Sequence, residues 1–250
     1  MINSSRTAVL KSGQSVIYYD KILGVGSDPD QGPAGWFDPL NPDLEAELVQ
    51  AGGRAAAWFI QIGDQACVLR HYRRGGMAAR FFRDQYLWTG AAASRSIAEF
   101  SMMQSMWLAG LPVPQPLAAG VWRKGFSYRA ALITAKVQDA TPLAHVVDSA
   151  AWAQAGRAIA KMHQAEIWHA DLNVFNVLMD SQGQAWLIDF DRARAGYLNA
   201  WQRAENLARL LRSVRKVCPE LEQECWPILT NAYALEEQDL LLIGRDSNDR

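Results

Sequence analysis

The sequence predicts an α+β protein with a β-rich first half and a helical second half. Short runs rich in β-branched and aromatic residues, separated by glycine turns, dominate the chain up to residue 137, and helical periodicity dominates it afterwards. Half of the 250 residues are hydrophobic and a fifth are charged, so the chain can bury a substantial core. We therefore predict two lobes, residues 1–137 and residues 138–250, around a shared cleft.

The first lobe is expected to consist mainly of strands and the second mainly of helices. The predicted elements are, in chain order, a loosely patterned extension over residues 1–48, strands at 57–62 and 66–70, a helix from Ser94 to about Leu108, strands at 117–122 and 128–137, and helices at 150–164, 199–211 and 221–235. Gly63-Asp64 predicts a turn that joins the first two strands into a hairpin. The Ser94 side chain is expected to cap its helix.

A glycine pair precedes the first strand of this hairpin. Gly52 and Gly53 could form a loop whose backbone N–H groups close over phosphates. The pair lacks the glycine spacing of a typical kinase loop, and an ordinary β-turn fits it equally well. The sequence therefore offers these glycines as candidate nucleotide-binding residues without excluding the turn.

An ordered set of polar residues follows the first helix of the second lobe. His169 and Asp171 begin a loop, Asn176 comes five positions after Asp171, and an apolar strand then ends at Asp189. Phosphoryl transfer uses such a set: one carboxylate accepts the proton of the attacking hydroxyl, while an amide oxygen and a second carboxylate hold Mg²⁺ on a triphosphate. We predict Asp171 as the catalytic residue, and Asn176 with Asp189 as metal ligands. Simple loop-capping roles are the alternative interpretation.

The order and spacing of these residues resemble the catalytic loop and metal-binding segment of the protein-kinase superfamily. The resemblance implies a two-lobed protein-kinase-like fold that uses ATP with Mg²⁺. It also implies a basic side chain on a strand that binds the phosphates and forms an ion pair with a glutamate on a helix. Because no lysine lies between Lys21 and Lys124, Arg70 is the candidate cation and Glu99 its ion-pair partner. A plain surface position is the alternative for Glu99. His169 is interpreted as a buried residue that braces the loop.

Several segments narrow this resemblance to the Kdo kinases, bacterial enzymes that phosphorylate 3-deoxy-D-manno-oct-2-ulosonic acid (Kdo) on lipid A. The similar segments are residues 69–76 (LRHYRRGG), 110–114 (GLPVP), 169–173 (HADLN) and 188–192 (IDFDR). The likeness covers residues 49–212. It implies ATP-dependent phosphorylation of the Kdo 4-hydroxyl in lipopolysaccharide core biosynthesis. It also implies work at the cytoplasmic face of the inner membrane, with Asp171 as the catalytic residue.

The charge distribution fits a phosphorylated glycolipid substrate. The net charge of -1 gives no general attraction to nucleic acid, but five arginines and no acidic residue lie between Arg70 and Arg83. This arginine strip could contact headgroup phosphates of Kdo-lipid A and an anionic membrane surface. Aromatic residues that could lie at the membrane interface accompany it: Tyr72, Phe81, Phe82, Tyr86 and Trp88. A solvated basic face with aromatic core residues is the alternative.

Two other functions fit parts of the sequence. A soluble small-molecule kinase of the aminoglycoside or choline type shares the His-x-Asp and Ile-Asp elements, but such kinases generally carry an acidic pocket for cationic substrates. A catalytically inactive kinase fold that serves as an adaptor is favoured only by the missing lysine. A protein kinase is disfavoured because no Ala-Pro-Glu signature follows Asp189. The three cysteines, Cys67, Cys218 and Cys225, lack metal-ligand spacing and are expected to be reduced, packed thiols.

Overall fold

The computed structural model describes residues 5–24, 32–49, 57–72 and 86–246. The chain divides into two compact units, the first formed by Met1–Ser105 with Gln115–Lys136 and the second by Met106–Pro114 with Val137–Arg250. The first unit holds most of the strands and the second most of the helices, so the predicted α+β class is confirmed. Among the helices of the described ranges, none is long and apolar enough to cross a membrane.

The first unit is built on an antiparallel sheet. Its eight strands are β1 (Thr7–Ser12), β2 (Ser15–Asp20), β3 (Glu47–Leu48), β4 (Ala57–Ile62), β5 (Gln65–His71), β6 (Tyr86–Leu87), β7 (Pro116–Lys124) and β8 (Ser127–Ala135). They lie in the order β1-β2-β7-β8-β5-β4-β3, and β6 also pairs with β8. Helix α1 (Arg95–Leu108) buries Ile97, Phe100 and Met103, whose spacing places them on one face of the helix.

The prediction of a loosely patterned extension over residues 1–48 is wrong. β1 and β2 form a hairpin in the sheet, with Ser12 opposite Ser15 across a two-residue loop. Gly13 begins this loop at a φ of 55°, which a residue without a Cβ adopts without strain. β2 pairs with β7 and buries Ile17, whereas β1 is a largely exposed edge strand. Because an edge strand needs few apolar residues, its sequence shows little alternation.

The start of α1 also differs from its prediction. The Ser94 hydroxyl donates to the Ala91 carbonyl (2.6 Å) and so does not cap the first turn of the helix. The backbone N–H of Arg95 donates instead to the Tyr128 hydroxyl on β8 (3.1 Å). A side chain of the sheet therefore satisfies a helix donor that a local cap was expected to satisfy.

The second unit contains three long helices and short strands. The helices are α2 (Ser149–Gln164), α3 (Ala200–Val217) and α4 (Glu222–Asp246); the strands are β9 (Thr141–Pro142), β10 (Ile167–Trp168), β11 (Val177–Met179), β12 (Ala185–Leu187) and β13 (Arg194–Ala195). Asp148 caps α2 by accepting from the N–H of Ala150 (3.1 Å). α2 packs closely on α4, since a Cβ at Gly156 would lie 2.2 Å from the carbonyl oxygen of Leu229.

The strands of the second unit position the predicted catalytic residues. β11 and β12 form a hairpin, with Val177 opposite Leu187, and β9 pairs with the other edge of β11. β10 pairs with β13, so that the segment entering the catalytic loop lies beside the segment that follows Asp189. Local pairing thus brings the two motif segments together.

Candidate active site

His169 joins the two motif segments of the second unit. Its side chain is fully buried; Nδ1 accepts from the backbone N–H of Asp171 (3.0 Å) and Nε2 contacts the carbonyl oxygen of Ile188 (3.0 Å). One ring nitrogen accepts and the other donates, so the imidazole is neutral with its proton on Nε2. Burial lowers the pKa of His169, although the hydrogen bond to Ile188 and the nearby carboxylates of Asp189 and Asp171 oppose this shift. The predicted bracing role of His169 is confirmed.

Asn176 completes the connection between Asp171 and Asp189. Its side-chain Nδ2 donates to the backbone carbonyl oxygen of Asp171 (2.9 Å), and its backbone carbonyl oxygen accepts from the N–H of Ile188 (3.0 Å). Because the side-chain amide nitrogen of Asn176 is bonded to the loop, its Oδ1 is the atom left to coordinate a cation. Asp189 follows Ile188 directly at a φ of 64°, a left-handed conformation that is uncommon for non-glycine residues and that Asp adopts more readily than most. One hydrogen-bonded network therefore connects Asp171 and Asn176 to Ile188, the residue that directly precedes Asp189.

These residues fit Mg²⁺ by the chemistry of their donor atoms. Asn176 offers an amide oxygen and Asp189 a carboxylate, and Mg²⁺ in phosphoryl-transfer enzymes is held by one or two such groups together with substrate phosphates. In the described part of the chain there is no cluster of three or more His, Cys, Asp or Glu side chains that could hold a metal ion by itself. A magnesium site here would therefore be completed by the nucleotide.

Helix α3 holds the catalytic loop through Asn206, a residue that our sequence prediction missed. The fully buried Asn206 side chain accepts from the N–H of His169 (3.1 Å) and donates to its carbonyl oxygen (2.8 Å). His163 on α2 also contacts Asn206 Oδ1 (3.1 Å), and its Nδ1 contacts the Tyr233 hydroxyl (2.9 Å). Burial lowers the pKa of His163 to about 4, so this network is built on a neutral imidazole. A polar residue within the buried stripe of α3 that includes Leu210 was the available signal.

Two further residues of α3 contact the loop from the same helix face. Ser213 Oγ accepts from the N–H of Val174 (3.0 Å), and Arg209 Nη1 donates to Oδ1 of Asp171 (2.8 Å). Spacings of three, four and seven residues place Asn206, Arg209 and Ser213 on one side of the helix. Nothing in the local sequence distinguishes Arg209 from an ordinary solvated arginine, so its contact with the catalytic carboxylate could not be predicted.

The first unit contains the predicted ion pair between Arg70 and Glu99. Arg70 Nη2 on β5 donates to Glu99 Oε1 on α1 (2.5 Å), and the Tyr72 hydroxyl donates to Glu99 Oε2. The Glu99 side chain is 2% exposed and that of Arg70 is 20% exposed. The ion pair is confirmed, and the alternative of a surface position for Glu99 is wrong. The role of Arg70 in binding phosphates stays a prediction.

The remaining candidates divide between buried positions and undescribed ones. Tyr72 and Tyr86 are buried in the first unit, so the interpretation of them as membrane-interface residues is wrong. Each tyrosine ring also packs against an arginine. The Arg70 guanidinium lies 4.9 Å from the Tyr72 ring centroid, and the Arg95 guanidinium lies 4.8 Å from the Tyr86 ring centroid. Other predicted residues lie outside the described ranges: Gly52, Gly53, Phe81, Phe82 and most of the arginine strip. The cysteines are unpaired and buried, as expected.

Comparison with known proteins identifies the family that carries this arrangement. A family model described as "Lipopolysaccharide kinase (Kdo/WaaP) family" matches residues 43–233. A "3-deoxy-D-manno-octulosonic acid kinase" of Xanthomonas campestris pv. campestris (strain B100) is 47% identical over 191 residues, which cover 75% of this chain and 77% of the relative. Enzymes with the same name from Stenotrophomonas maltophilia (strain R551-3) and Xylella fastidiosa (strain M23) are 45% and 43% identical, over 78% and 74% of this chain and 80% and 74% of theirs. The chain belongs to the lipopolysaccharide kinase (Kdo/WaaP) family.

Proposed function

We propose that this protein uses ATP to phosphorylate the 4-hydroxyl of Kdo on lipid A, a step of lipopolysaccharide core biosynthesis. The observation that carries the proposal is the exposed carboxylate of Asp171 in a loop that His169 and Asn206 hold by hydrogen bonds. The named activity of the relatives, at 43% to 47% identity over three quarters of the chain, supplies the acceptor. The order of Asp171, Asn176 and Asp189 along the chain supplies the reaction class, phosphoryl transfer to a hydroxyl.

In the proposed mechanism, each residue has a task that its contacts suit. Asp171 orients the sugar hydroxyl and accepts its proton as the bond to phosphorus forms. Asn176 and Asp189 hold Mg²⁺, which when bound supplies positive charge to the phosphates of ATP. Arg70, whose guanidinium is oriented by Glu99, binds phosphate oxygens of the nucleotide. His169 keeps the Asp171 backbone and the strand before Asp189 in a fixed relation.

The decisive experiment is a mass-spectrometric assay with ATP, Mg²⁺ and a panel of acceptors. The panel contains Kdo-bearing lipid A, an aminoglycoside, choline and casein, and the Asp171→Asn variant is run in parallel. We expect one added phosphate on the Kdo glycolipid alone, and none with the variant. Phosphate on choline or the aminoglycoside, with an unmodified glycolipid, would replace the proposal by the small-molecule alternative. Transfer to no acceptor would favour the inactive adaptor.

We propose in addition that the protein contacts an anionic membrane surface at the cytoplasmic face of the inner membrane. Support comes from an exposed segment of the second unit: residues 192–201 contain two exposed arginines, Arg192 and Arg194, and no acidic residue, and Tyr197 and Trp201 are 79% and 70% exposed. Arginine with interfacial aromatic residues is the composition that binds anionic headgroups. Because β13 lies in this segment and pairs with β10, the surface is connected to the strand that enters the catalytic loop. The arginine strip between Arg70 and Arg83 stays a second candidate.

Vesicle co-sedimentation tests this membrane contact. Vesicles containing phosphatidylglycerol should bind the protein in a salt-sensitive manner, and the Tyr197→Ser/Trp201→Ser variant should bind clearly less. Leu40→Ser is the matched control, because Leu40 is 87% exposed but lies among acidic residues. Binding that the double variant retains in full, or that neutral vesicles support equally well, would contradict the proposed surface.

A further inference from the structure

Arg209 makes a contact that the phosphoryl-transfer reaction does not by itself require. Its Nη1 donates to Oδ1 of Asp171 (2.8 Å), and the exposed fractions of the two side chains are 44% and 60%. A guanidinium carries five N–H donors in a planar fork, so a single bond to Asp171 leaves donors for a second anion. The exposure of both side chains means that such an anion could approach from solvent.

The chemistry of the acceptor creates an electrostatic problem at this position. The relatives are named for an octulosonic acid, so the acceptor that they phosphorylate carries a carboxylate. Its hydroxyl must come within about 2.6–3.2 Å of Asp171 to lose its proton there. The acceptor carboxylate then lies within the width of one sugar ring from the carboxylate of Asp171. Like charges at such distances repel each other, and a cation beside them removes the penalty.

We propose that Arg209 binds the carboxylate of the acceptor sugar and thereby selects a sugar acid over a neutral sugar. This inference rests on the proposed function, because it assumes a Kdo-type acceptor. The guanidinium would bridge two carboxylates, that of Asp171 through the observed bond and that of the acceptor through its remaining donors. Arginine suits this role because its fork can hold a carboxylate through two parallel hydrogen bonds.

The surroundings of Arg209 make the role testable without disturbing the loop. Asn206 and Ser213 hold the loop backbone through their own hydrogen bonds, which do not involve Arg209. Replacement of the exposed Arg209 side chain should therefore leave the loop in place. Arg212 is also an exposed arginine, three residues further along α3, and it takes part in none of the hydrogen bonds that hold the loop to this helix. It provides the matched control.

The test is a cycle between enzyme and substrate. Steady-state kinetics are measured with Kdo-bearing lipid A and with its Kdo carboxyl methyl ester, for the wild type, Arg209→Ala, Arg209→Gln and Arg212→Ala. The wild type should prefer the free acid by about 10- to 100-fold in kcat/KM, the usual effect of hydrogen bonds to a charged group. Both Arg209 variants should lose this preference, because their kcat/KM should fall further on the acid than on the ester, and the additional loss should appear mainly as a higher KM for the acid. Arg212→Ala should behave like the wild type on both substrates.

Two results would overturn the inference. Equal losses of kcat on the acid and the ester would mean that Arg209 only positions Asp171. An acid preference that survives in both Arg209 variants would mean that another group binds the carboxylate. A wild type that phosphorylates neither substrate would instead refute the proposed function, and is therefore distinguishable from a failure of the Arg209 assignment.

Discussion

Each unit of this kinase contains an arginine paired with a functionally placed carboxylate, and the two pairs differ in their exposure to solvent. In the first unit, Glu99 is 2% exposed and accepts from both Arg70 and Tyr72. In the second unit, Asp171 is 60% exposed and its side chain accepts a single bond, from Arg209. A buried carboxylate that loses its partner keeps the cost of desolvation, whereas an exposed one recovers water. Breaking the buried pair should therefore cost much more stability than breaking the exposed pair.

The largest expected effect comes from the exposed carboxylate. Asp171→Asn should lower kcat by about 10²–10⁴-fold, because the variant cannot accept the proton of the acceptor hydroxyl. Its free energy of unfolding should stay within about 1 kcal/mol of the wild type, since the lost ion pair is exposed. Single-turnover kinetics and urea denaturation measure the two quantities. Normal turnover by Asp171→Asn would remove the assigned catalytic role.

The opposite pattern is expected for the buried pair. Arg70→Ala leaves the Glu99 carboxylate buried without its cation, and should lower the free energy of unfolding by about 3–5 kcal/mol. It should also raise the KM for ATP if Arg70 binds phosphates. The double variant Arg70→Met/Glu99→Met removes both charges and should recover much of the stability but not the ATP affinity. If Arg70→Ala has the same free energy of unfolding as the wild type, then burial of this ion pair does not determine its contribution to stability.

The cost of burying a charge can also be measured at His163, a buried side chain that is neutral in the folded protein. Burial lowers its pKa to about 4 from an unfolded value near 6.5, so between these pH values the unfolded chain binds more protons than the folded protein. Stability from the neutral imidazole is complete above pH 6.5 and should be lost as the pH falls to about 4, by about 3 kcal/mol. His163→Gln should flatten this part of the pH profile of unfolding. Identical slopes for variant and wild type would contradict the assignment.

The smallest expected effect is on stability at Arg209. Arg209→Ala should change the free energy of unfolding by less than about 1 kcal/mol, and this change should shrink further at high salt. Arg212→Ala provides the baseline for an arginine on the same helix. A loss above about 2 kcal/mol would place Arg209 with Arg70 as a structural residue, and would remove the distinction between the two pairs.

The sequence was sufficient to predict those parts of the site whose residues are close together along the chain. Asp171, Asn176 and Asp189 are separated by a loop and a hairpin, so their spacing predicts that their segments lie close together, and Asn176 indeed bonds to both Asp171 and Ile188. The pair of Arg70 and Glu99 could be predicted because the strand-to-helix arrangement of the superfamily fixes it. Asn206 and Arg209 could not be predicted, because their contacts with the loop depend on how α3 packs, some 37 and 38 residues further along the chain.

The same limit explains the errors in the first unit. β1 gains its hydrogen bonds from β2 and lies at an edge, so little in its own composition distinguishes a strand from a loop. Tyr72 and Tyr86 resemble interfacial aromatic residues in a basic segment, yet both are buried in contact with β8 and α1. Burial of an amphipathic side chain depends on the elements packed around it, and these come from distant parts of the sequence.

The arrangement of α3 separates two properties that are often difficult to alter independently. Asn206 and Ser213 hold the loop through backbone contacts, while Arg209 contacts the exposed Asp171 side chain from the same helix face. With the role proposed for Arg209, substitutions at this position would change the choice of acceptor without removing the hydrogen bonds that hold the loop. A library restricted to this one position would be a compact starting point for redirecting the enzyme toward uncharged glycolipids.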